Sequence, residues 1–352
     1  MDTKIARIID TTEYGNTLDE AAKIILSGGL VVFPTETVYG LGGNGLLADA
    51  AKKIYSAKGR PSDNPLIIHI AEPKDAENYA FTGDIYYRLA ESFMPGPLTV
   101  IMKKRDCIPH SVTGGLDTVA VRCPSHPVAH ALIEKCGVPI AAPSANISGR
   151  PSPTSAEYVI EDMNGRVEMI IDGGECEIGL ESTIVKIDGN SLTLLRPGAI
   201  TYDALCCVCE DVKIAPAVLE KLAENEKPLS PGMKYRHYAP NADFVLLDGD
   251  DSDVLEFIKK EQVENNCAVL CYDEELSHLD ASLSICIGAK EDLNTQAKKL
   301  FTALREADKL GAHKIYAHLP TLDGLGLALY NRMIRAAAHT VLHVTPNNIK
   351  HH

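Results

Sequence analysis

The sequence predicts an α/β protein with two domains, a mixed-sheet domain followed by a smaller parallel-sheet domain. Three observations carry this. The chain has 352 residues, more than a single hydrophobic core usually organises. Short apolar strands alternate with amphipathic helices along most of it. The alternation fails between about 208 and 242, where "EKPLSPGMKYRHYAPNA" crowds three prolines, a glycine and polar residues, and then it resumes. The predicted layout is therefore 1–207, a connecting segment over 208–242, and 243–352.

Taken in order, the helix "TLDEAAKIILSG" feeds the β-rich run "GLVVFPT" (29–35). A glycine-rich turn precedes the helix "LLADAAKKIYSAKG", and "PLIIHIA" reads as a buried strand. Further strands are "PLTVIMK", "TVAVRCP", "PIAAPSAN", "VEMIIDGG", "STIVKID" and "LTLLRPG", with helices near 84–93, 126–136 and 154–163. Asp188-Gly189-Asn190 is a hairpin signal, so some of this sheet is antiparallel. After 242 come "FVLLDG", the helix "VLEFIKKEQ", "CAVLCYD", "LSICIG", a long helix, "KIYAHLP" and a last helix. In the long helix Leu293, Ala297, Leu300, Leu304, Ala307 and Leu310 keep the 3.6-residue period. The connecting segment carries Met233, Tyr235, His237 and Tyr238, unlike a Gly/Ser/Glu/Lys tether, and reads as an ordered segment that touches something.

Bulk composition narrows the function. A formal charge of -14 repels phosphodiester backbones, so tight unaided binding to nucleic acid is not expected, although a local cluster of cations still suits a small anion. No apolar run reaches the ~18 residues of a membrane span, and the N-terminus has no secretory pattern, so a cytoplasmic location is expected. Ten cysteines scattered along the chain are not a disulfide scaffold. Cys206, Cys207 and Cys209 form a tight group without a second pair at zinc-ligand spacing, and reduced thiols are the reading.

Three stretches carry chemistry. In "YSAKGRPSDNPLIIHI", Lys58 and Arg60 end a helix; they compensate its C-terminus or, in a stiff polar loop before Pro65, meet phosphate oxygens. "PTETVYGLGGNG" places Gly40, Gly42 and Gly45 in G-x-G-x-x-G spacing, with Asp63 further on. A dinucleotide fold needs the first glycine at the strand end, and six residues intervene here. The stretch is then a tight turn, or one in which Thr35, Thr37 and Tyr39 line a pocket while the glycines admit a ligand to the backbone. In "AAPSANISGRPSPTSAEY", Ser144, Asn146, Ser148 and Ser152 crowd a strand end and read as ligand donors; no G-x-S-x-G elbow makes Ser144 an acyl nucleophile. Arg122, Ser182, Thr183 and Arg196 also fall at strand ends, and the four cations Lys58, Arg60, Arg122 and Arg196 could together neutralise a triphosphate.

Taken together, "PTETVYGLG", "KGRPSDNPLIIHI", "AAPSANISGRPSPTSA", "GLESTIV", "LLRPG" and "SPGMKYRHYAP" closely resemble the threonylcarbamoyl-adenylate synthases in their long form, over essentially the whole chain. The resemblance implies a YrdC-like mixed twisted-sheet catalytic domain, a linker folding over the active site, and a smaller Rossmann-like α/β domain. It implies that ATP, L-threonine and bicarbonate or CO2 become threonylcarbamoyl-AMP and pyrophosphate, with Mg²⁺ accompanying the ATP and held by phosphates and water. The product would go to downstream proteins that modify tRNA beside the anticodon. The family's K-x-R and S-x-N signatures stand as Lys58-Gly59-Arg60 and Ser144-Ala145-Asn146, the implied catalytic groups. The implied threonine pocket is Thr37, His69, Arg122, the Ala142 backbone and Ser182. The implied nucleotide contacts are Lys58, Arg60, Asn64, Thr118, Ser144, Asn146, Ser152, Arg196 and Tyr238. Two other readings stand beside it: a non-catalytic RNA-binding module and an NAD-dependent enzyme.

Overall fold

The computed structural model describes residues 2–8, 14–220 and 238–346. The chain divides into two compact units, one comprising Met1–Ser148 and Ser152–Tyr235, the other Gly149–Pro151 and Arg236–His352. In chain order the first unit holds β1 (Lys4–Arg7), α1 (Tyr14–Leu26), β2 (Val31–Phe33), β3 (Gly40–Asn44), α2 (Ala48–Lys58), β4 (Ile67–His69) and α3 (Asp84–Phe93). It continues with β5 (Leu98–Lys103), β6 (Thr118–Arg122), α4 (Pro127–Cys136), β7 (Ile140–Ala142), α5 (Ala156–Met163) and β8 (Met169–Asp172). It closes with β9 (Thr183–Asp188), β10 (Ser191–Arg196), α6 (Tyr202–Cys206) and β11 (Val212–Ile214).

Among the described residues these strands form one mixed eleven-stranded sheet, ordered β1-β8-β2-β3-β7-β4-β6-β5-β9-β10-β11. Strands β9 and β10 are the antiparallel hairpin foreseen at Asp188, with Gly189 at φ +61° in its turn. On one face, α1 and α4 cover β8, β2 and β7, burying Leu18, Ile25, Phe33, Leu132, Ile140 and Met169 together. Register carries that face onward: Ile140 pairs with His69, His69 with Arg122, Arg122 with Thr99 and Thr99 with Ile184. There Ile67, Ile101, Ala120 and Ile184 form a smaller apolar cluster. Residues assigned to the site in the sequence analysis stand at its two ends.

The second unit holds β12 (Asp243–Asp248), α7 (Asp251–Asn265), β13 (Ala268–Cys271), β14 (Ser284–Cys286), α8 (Leu293–Lys309), β15 (Lys314–His318), α9 (Gly326–Ala336) and β16 (Val341–His343). Its sheet runs β14-β13-β15-β12-β16 and every pair is parallel, as the alternation after 242 predicts. Leu247, Val254, Phe257, Ile258, Val269 and Tyr316 lie in its core. No helix among the described residues is long and apolar enough to cross a membrane.

The structure corrects the reading of "PTETVYGLGGNG" at one point. Gly40–Asn44 is not a turn but β3, a fully buried strand antiparallel to β2. Its glycines admit side chains, not a ligand. A Cβ on Gly42 would stand 2.7 Å from both Ile140 Cγ2 and Phe33 Cε1, and one on Gly40 would stand 3.2 Å from Phe33 Cζ. With the spacing explained by packing inside a strand, the NAD-dependent reading loses its motif. Apart from β3, the strands the sequence did not reveal, β1, β11 and β16, lie at sheet edges, where one partner and partial exposure leave little apolar pattern. Strand β11 also continues the first sheet past residue 207. Residues 221–237, most of the connecting segment, lie outside the described residues.

Gly42→Ala therefore overpacks the α1/α4 side of the sheet. Its expected cost is about 1–3 kcal/mol, read as a lower urea midpoint for the first unit; an unchanged midpoint would refute this account of β3.

Candidate active site

Strand β6 shows how the sheet distributes the polar groups. Thr118 opens it and Arg122 closes it, roughly 13 Å apart at the ordinary rise of a strand. At the Arg122 end, the register lines up His69, Arg122 and Thr99 across β4, β6 and β5. Ser182, just before β9, shares a hydrogen bond with the Thr99 hydroxyl at 2.8 Å. Arg196, closing β10, donates to the Ser182 carbonyl at 3.0 Å and to its hydroxyl at 3.1 Å. His69, Arg122, Ser182 and Arg196 thus form one buried cross-strand row.

The loop between β2 and β3 reaches this row from the side. The Thr35 hydroxyl accepts the Thr37 and Val38 amides at 3.2 Å each, a tight local turn. Backbone bonds from Ile178 to Glu36 and from Gly179 to Thr37 hold the loop from outside. Arg122 Nη2 donates to the Thr37 hydroxyl at 2.8 Å and meets Glu36 Oε1 at 2.8 Å, with both charged side chains 5% exposed. Neither Glu36 oxygen has a hydrogen-bond partner, nor does Arg122 Nε. The contact is therefore chiefly one of charge. Burial is the strongest influence on Glu36 and opposes its charge, but the Arg122 charge and contact together with the backbone amides of Glu36 and Ser125 outweigh it and hold the carboxyl below the usual carboxylate range. His69 responds oppositely: burial first, then the Arg122 charge, push it down to about 3, so the ring is neutral, facing the Ile140 carbonyl through Nδ1 at 3.3 Å.

The other end gathers the two signatures. Lys58 closes α2 at 2% exposure. Its ammonium donates to the carbonyls of Ser144 and Asn146 at 2.5 and 2.6 Å and to Asn146 Oδ1 at 3.3 Å. Gly59, left-handed at φ +63°, turns the chain, and Arg60 folds back onto the carbonyls of Asn64 and Pro65 at 3.4 and 3.1 Å. The Ser144 hydroxyl donates to Asn146 Oδ1 at 2.5 Å, whose amide nitrogen donates to the Ile147 carbonyl. Asn64, 2% exposed, keeps an amide oxygen with no hydrogen-bond partner. K-x-R and S-x-N, 86 residues apart, are thus one assembly in which the cation grips the second motif by its carbonyls.

The remaining assigned residues fall into place around these groups. Ala142 lies between the two ends, paired with Ile67. Ser152, assigned to the nucleotide, donates its hydroxyl to Glu181 Oε1 at 2.6 Å, and Glu181 precedes Ser182, to which Arg196 donates. Tyr238 belongs to the second unit, buried at φ +62°, its ring stacked on Phe301 at 5.0 Å. Among the described residues no group of three His, Cys, Asp or Glu could hold a metal ion. Cys206 and Cys207 are exposed, Cys209 is buried, and all three are free thiols.

Residues 23–198 match the Sua5, YciO and YrdC family model, described as telomere recombination. Residues 200–338 match the threonylcarbamoyl-AMP synthase C-terminal domain. Threonylcarbamoyl-AMP synthase of Pyrococcus abyssi is 45% identical over 329 residues, spanning 92% of this chain and 95% of that protein. The chain belongs to the threonylcarbamoyl-AMP synthase family. The Bacillus subtilis member is 42% identical over 343 residues, 95% of this chain and 98% of that one. The crystal structure of P. abyssi Sua5 complexed with L-threonine has a TM-score of 0.90 at 43% identity, covering 97% of this chain and 100% of the other. The first unit is accordingly the YrdC-like domain of a two-domain synthase.

Within this family frame, sequence reasoning passed over Glu36, Thr99 and Glu181. Glu36 stood inside a quoted motif and was legible as an acid between two threonines, but its proximity to Arg122 spans 86 positions and appears only in the sheet. The neutral His69 has a measurable consequence. The unfolded chain binds a proton near pH 6.5 while the fold resists it to about 3, so this group's stabilisation is complete above pH 6.5 and declines as pH falls below it. His69→Gln should flatten stability against pH over that window by up to about 1.4 kcal/mol per unit relative to the wild type; identical slopes in denaturant titrations at pH 4–7 would contradict it.

Proposed function

We propose that the protein joins L-threonine, bicarbonate or CO2, and ATP into threonylcarbamoyl-AMP with release of pyrophosphate. The observation that carries this reading is the single sheet face on which Lys58, Arg60 and the Ser144–Asn146 segment stand at one end and His69, Arg122 and Ser182 at the other. An elongated anion and an amino acid require two such polar stations, and the apolar stretch of Ile67 and Ala120 separates them.

On this reading Arg122 binds the threonine carboxylate, and the neutral His69 and the hydroxyls of Thr37 and Ser182 orient the rest of the amino acid. The carbamate formed on its nitrogen attacks the α-phosphorus in line, and Lys58 and Arg60 stabilise charge passing to the leaving pyrophosphate. Lys58 suits that role because its grip on Ser144 and Asn146 pre-sets their side chains at the same phosphates. The groups assigned there are cationic or neutral, which fits phosphate oxygens rather than a bare cation. Mg²⁺ would accordingly be held by phosphates and water, and when bound it supplies charge neutralisation between them. The product would pass to proteins that complete a threonylcarbamoyl modification of tRNA beside the anticodon. The RNA-binding alternative loses ground to the -14 charge.

We also infer that the connecting segment contributes to the reaction by bringing Tyr238 to the nucleotide. The inference rests on the resemblance carried by "SPGMKYRHYAP"; in the second unit Tyr238 itself is buried and stacked on Phe301.

Two measurements test these readings. Incubated with threonine, ATP and Mg²⁺, the protein should release pyrophosphate only when bicarbonate is supplied, and Arg60→Ala should slow release about a hundredfold with folding intact. Release without bicarbonate would sink the reaction, and an undiminished Arg60→Ala rate would remove that residue from it. Ending the chain after Glu220, beyond β11, should abolish most turnover; full activity would make the connecting segment a tether.

A further inference from the structure

We propose that Glu36 receives the α-ammonium of the amino-acid substrate and takes one proton from it, after the substrate's carboxylate has replaced Glu36 on Arg122. The inference rests on the reading of this row as an amino-acid site and adds to it the group that frees the amine.

The geometry starts from an anomaly. A carboxylate 5% exposed is costly unless its oxygens are hydrogen-bonded, yet neither Glu36 oxygen has a well-formed hydrogen bond, and the Arg122 contact at 2.8 Å with the nearby amides of Glu36 and Ser125 is what compensates them. Two unfilled acceptors aimed at a substrate-binding guanidinium describe a place waiting for N–H donors. An α-amino acid carries its two charges on adjacent atoms, carboxylate and ammonium. Arg122 answers the first and Glu36, in contact with it, answers the second. Thr37, next in sequence and bonded to the same Nη2, fixes the spacing.

The surroundings explain how the same residue can act as an anion and then as a base. Around Glu36 stand Arg122 of β6, His69 of β4, His126 at the start of α4, Cys123 and Cys176. Burial keeps both histidines toward their neutral form and pushes both thiols up to about 12. Among these groups Arg122 is the one cation. Without substrate it is the largest of the influences, with the amides of Glu36 and Ser125, that hold the Glu36 carboxyl low against the burial that raises it. A substrate carboxylate on Arg122 cancels that hold while the burial remains, so binding itself turns Glu36 into a stronger base. The transfer balances: one N–H bond of the ammonium breaks, one O–H bond forms on Glu36, and the nitrogen keeps the electron pair with which it attacks CO2. When product leaves, Arg122 pairs with Glu36 again and the proton is released to water. The device selects zwitterions, because a lone carboxylate would leave Glu36 buried without a cation.

The test compares threonine with 3-hydroxybutyrate, which keeps the carboxylate and hydroxyl but lacks the amine, by calorimetry on the full chain. Wild type should prefer threonine strongly, and Glu36→Gln should lose at least tenfold in threonine affinity while its affinity for 3-hydroxybutyrate holds or rises. A merely structural role would weaken both acids alike, and that result, or an unchanged preference, overturns the proposal. Glu36→Asp should recover part of the preference. A second measurement needs no variant: in buffers of different ionisation enthalpy, 3-hydroxybutyrate should bind wild type with uptake of about one proton and threonine with none. Equal uptake for the two overturns the proposal. Wild type failing to bind threonine at all would instead overturn the amino-acid reading itself.

Discussion

A guanidinium at the end of a central strand cannot stay charged in a protein interior without compensation, and that requirement organises the catalytic unit. Arg122 is 4% exposed. Its charge draws the loop carrying Glu36 and Thr37 against the sheet and helps to hold the neighbouring imidazole neutral. The same problem is solved differently at the other station, where the Lys58 ammonium rests on backbone carbonyls and an amide oxygen. Arg122 thus faces a carboxylate at one end of the face, and Lys58 faces backbone carbonyls at the other.

The sheet supplies the precision that these charges need. Strand register, not loop flexibility, sets His69 beside Arg122 and Arg122 beside Thr99. Register in turn depends on packing behind the site: β3 can lie flat against β2 and β7 because glycine at 40 and 42 makes room for Phe33 and Ile140. Phe33 then meets the edge of the His69 ring at 6.1 Å. A small change under the sheet therefore reaches the site through side chains already in contact.

The second unit shows a different economy. Its five parallel strands are a self-sufficient core, and its polar residues collect where parallel strands end. His318, closing β15, pairs with Glu275 at 2.7 Å and lies against Tyr272 at 5.0 Å. Glu275 is also satisfied by the Tyr272 amide, so this buried polar group is a closed structural network, in contrast with the open valences of Glu36 and Asn64 in the first unit.

Apolar runs and their spacing determined most strands and helices of both units without help from tertiary structure, because burial of a face imposes a period that a reader can see. Local order also made Lys58-Gly59-Arg60 and Ser144-Ala145-Asn146 visible as candidate ligands. Edge strands such as β1 and β11 were illegible, since a half-exposed pair of strands imposes no pattern. A buried glycine-rich strand such as β3 read as a turn, since glycine marks close approach as readily as it marks a bend. What only tertiary structure decided is who compensates whom. That Lys58 grips the second motif, and that Glu36 faces Arg122, depends on contacts across more than eighty residues. Charge at a distance leaves no periodic trace in a sequence, so the pairing becomes definite only when the sheet closes.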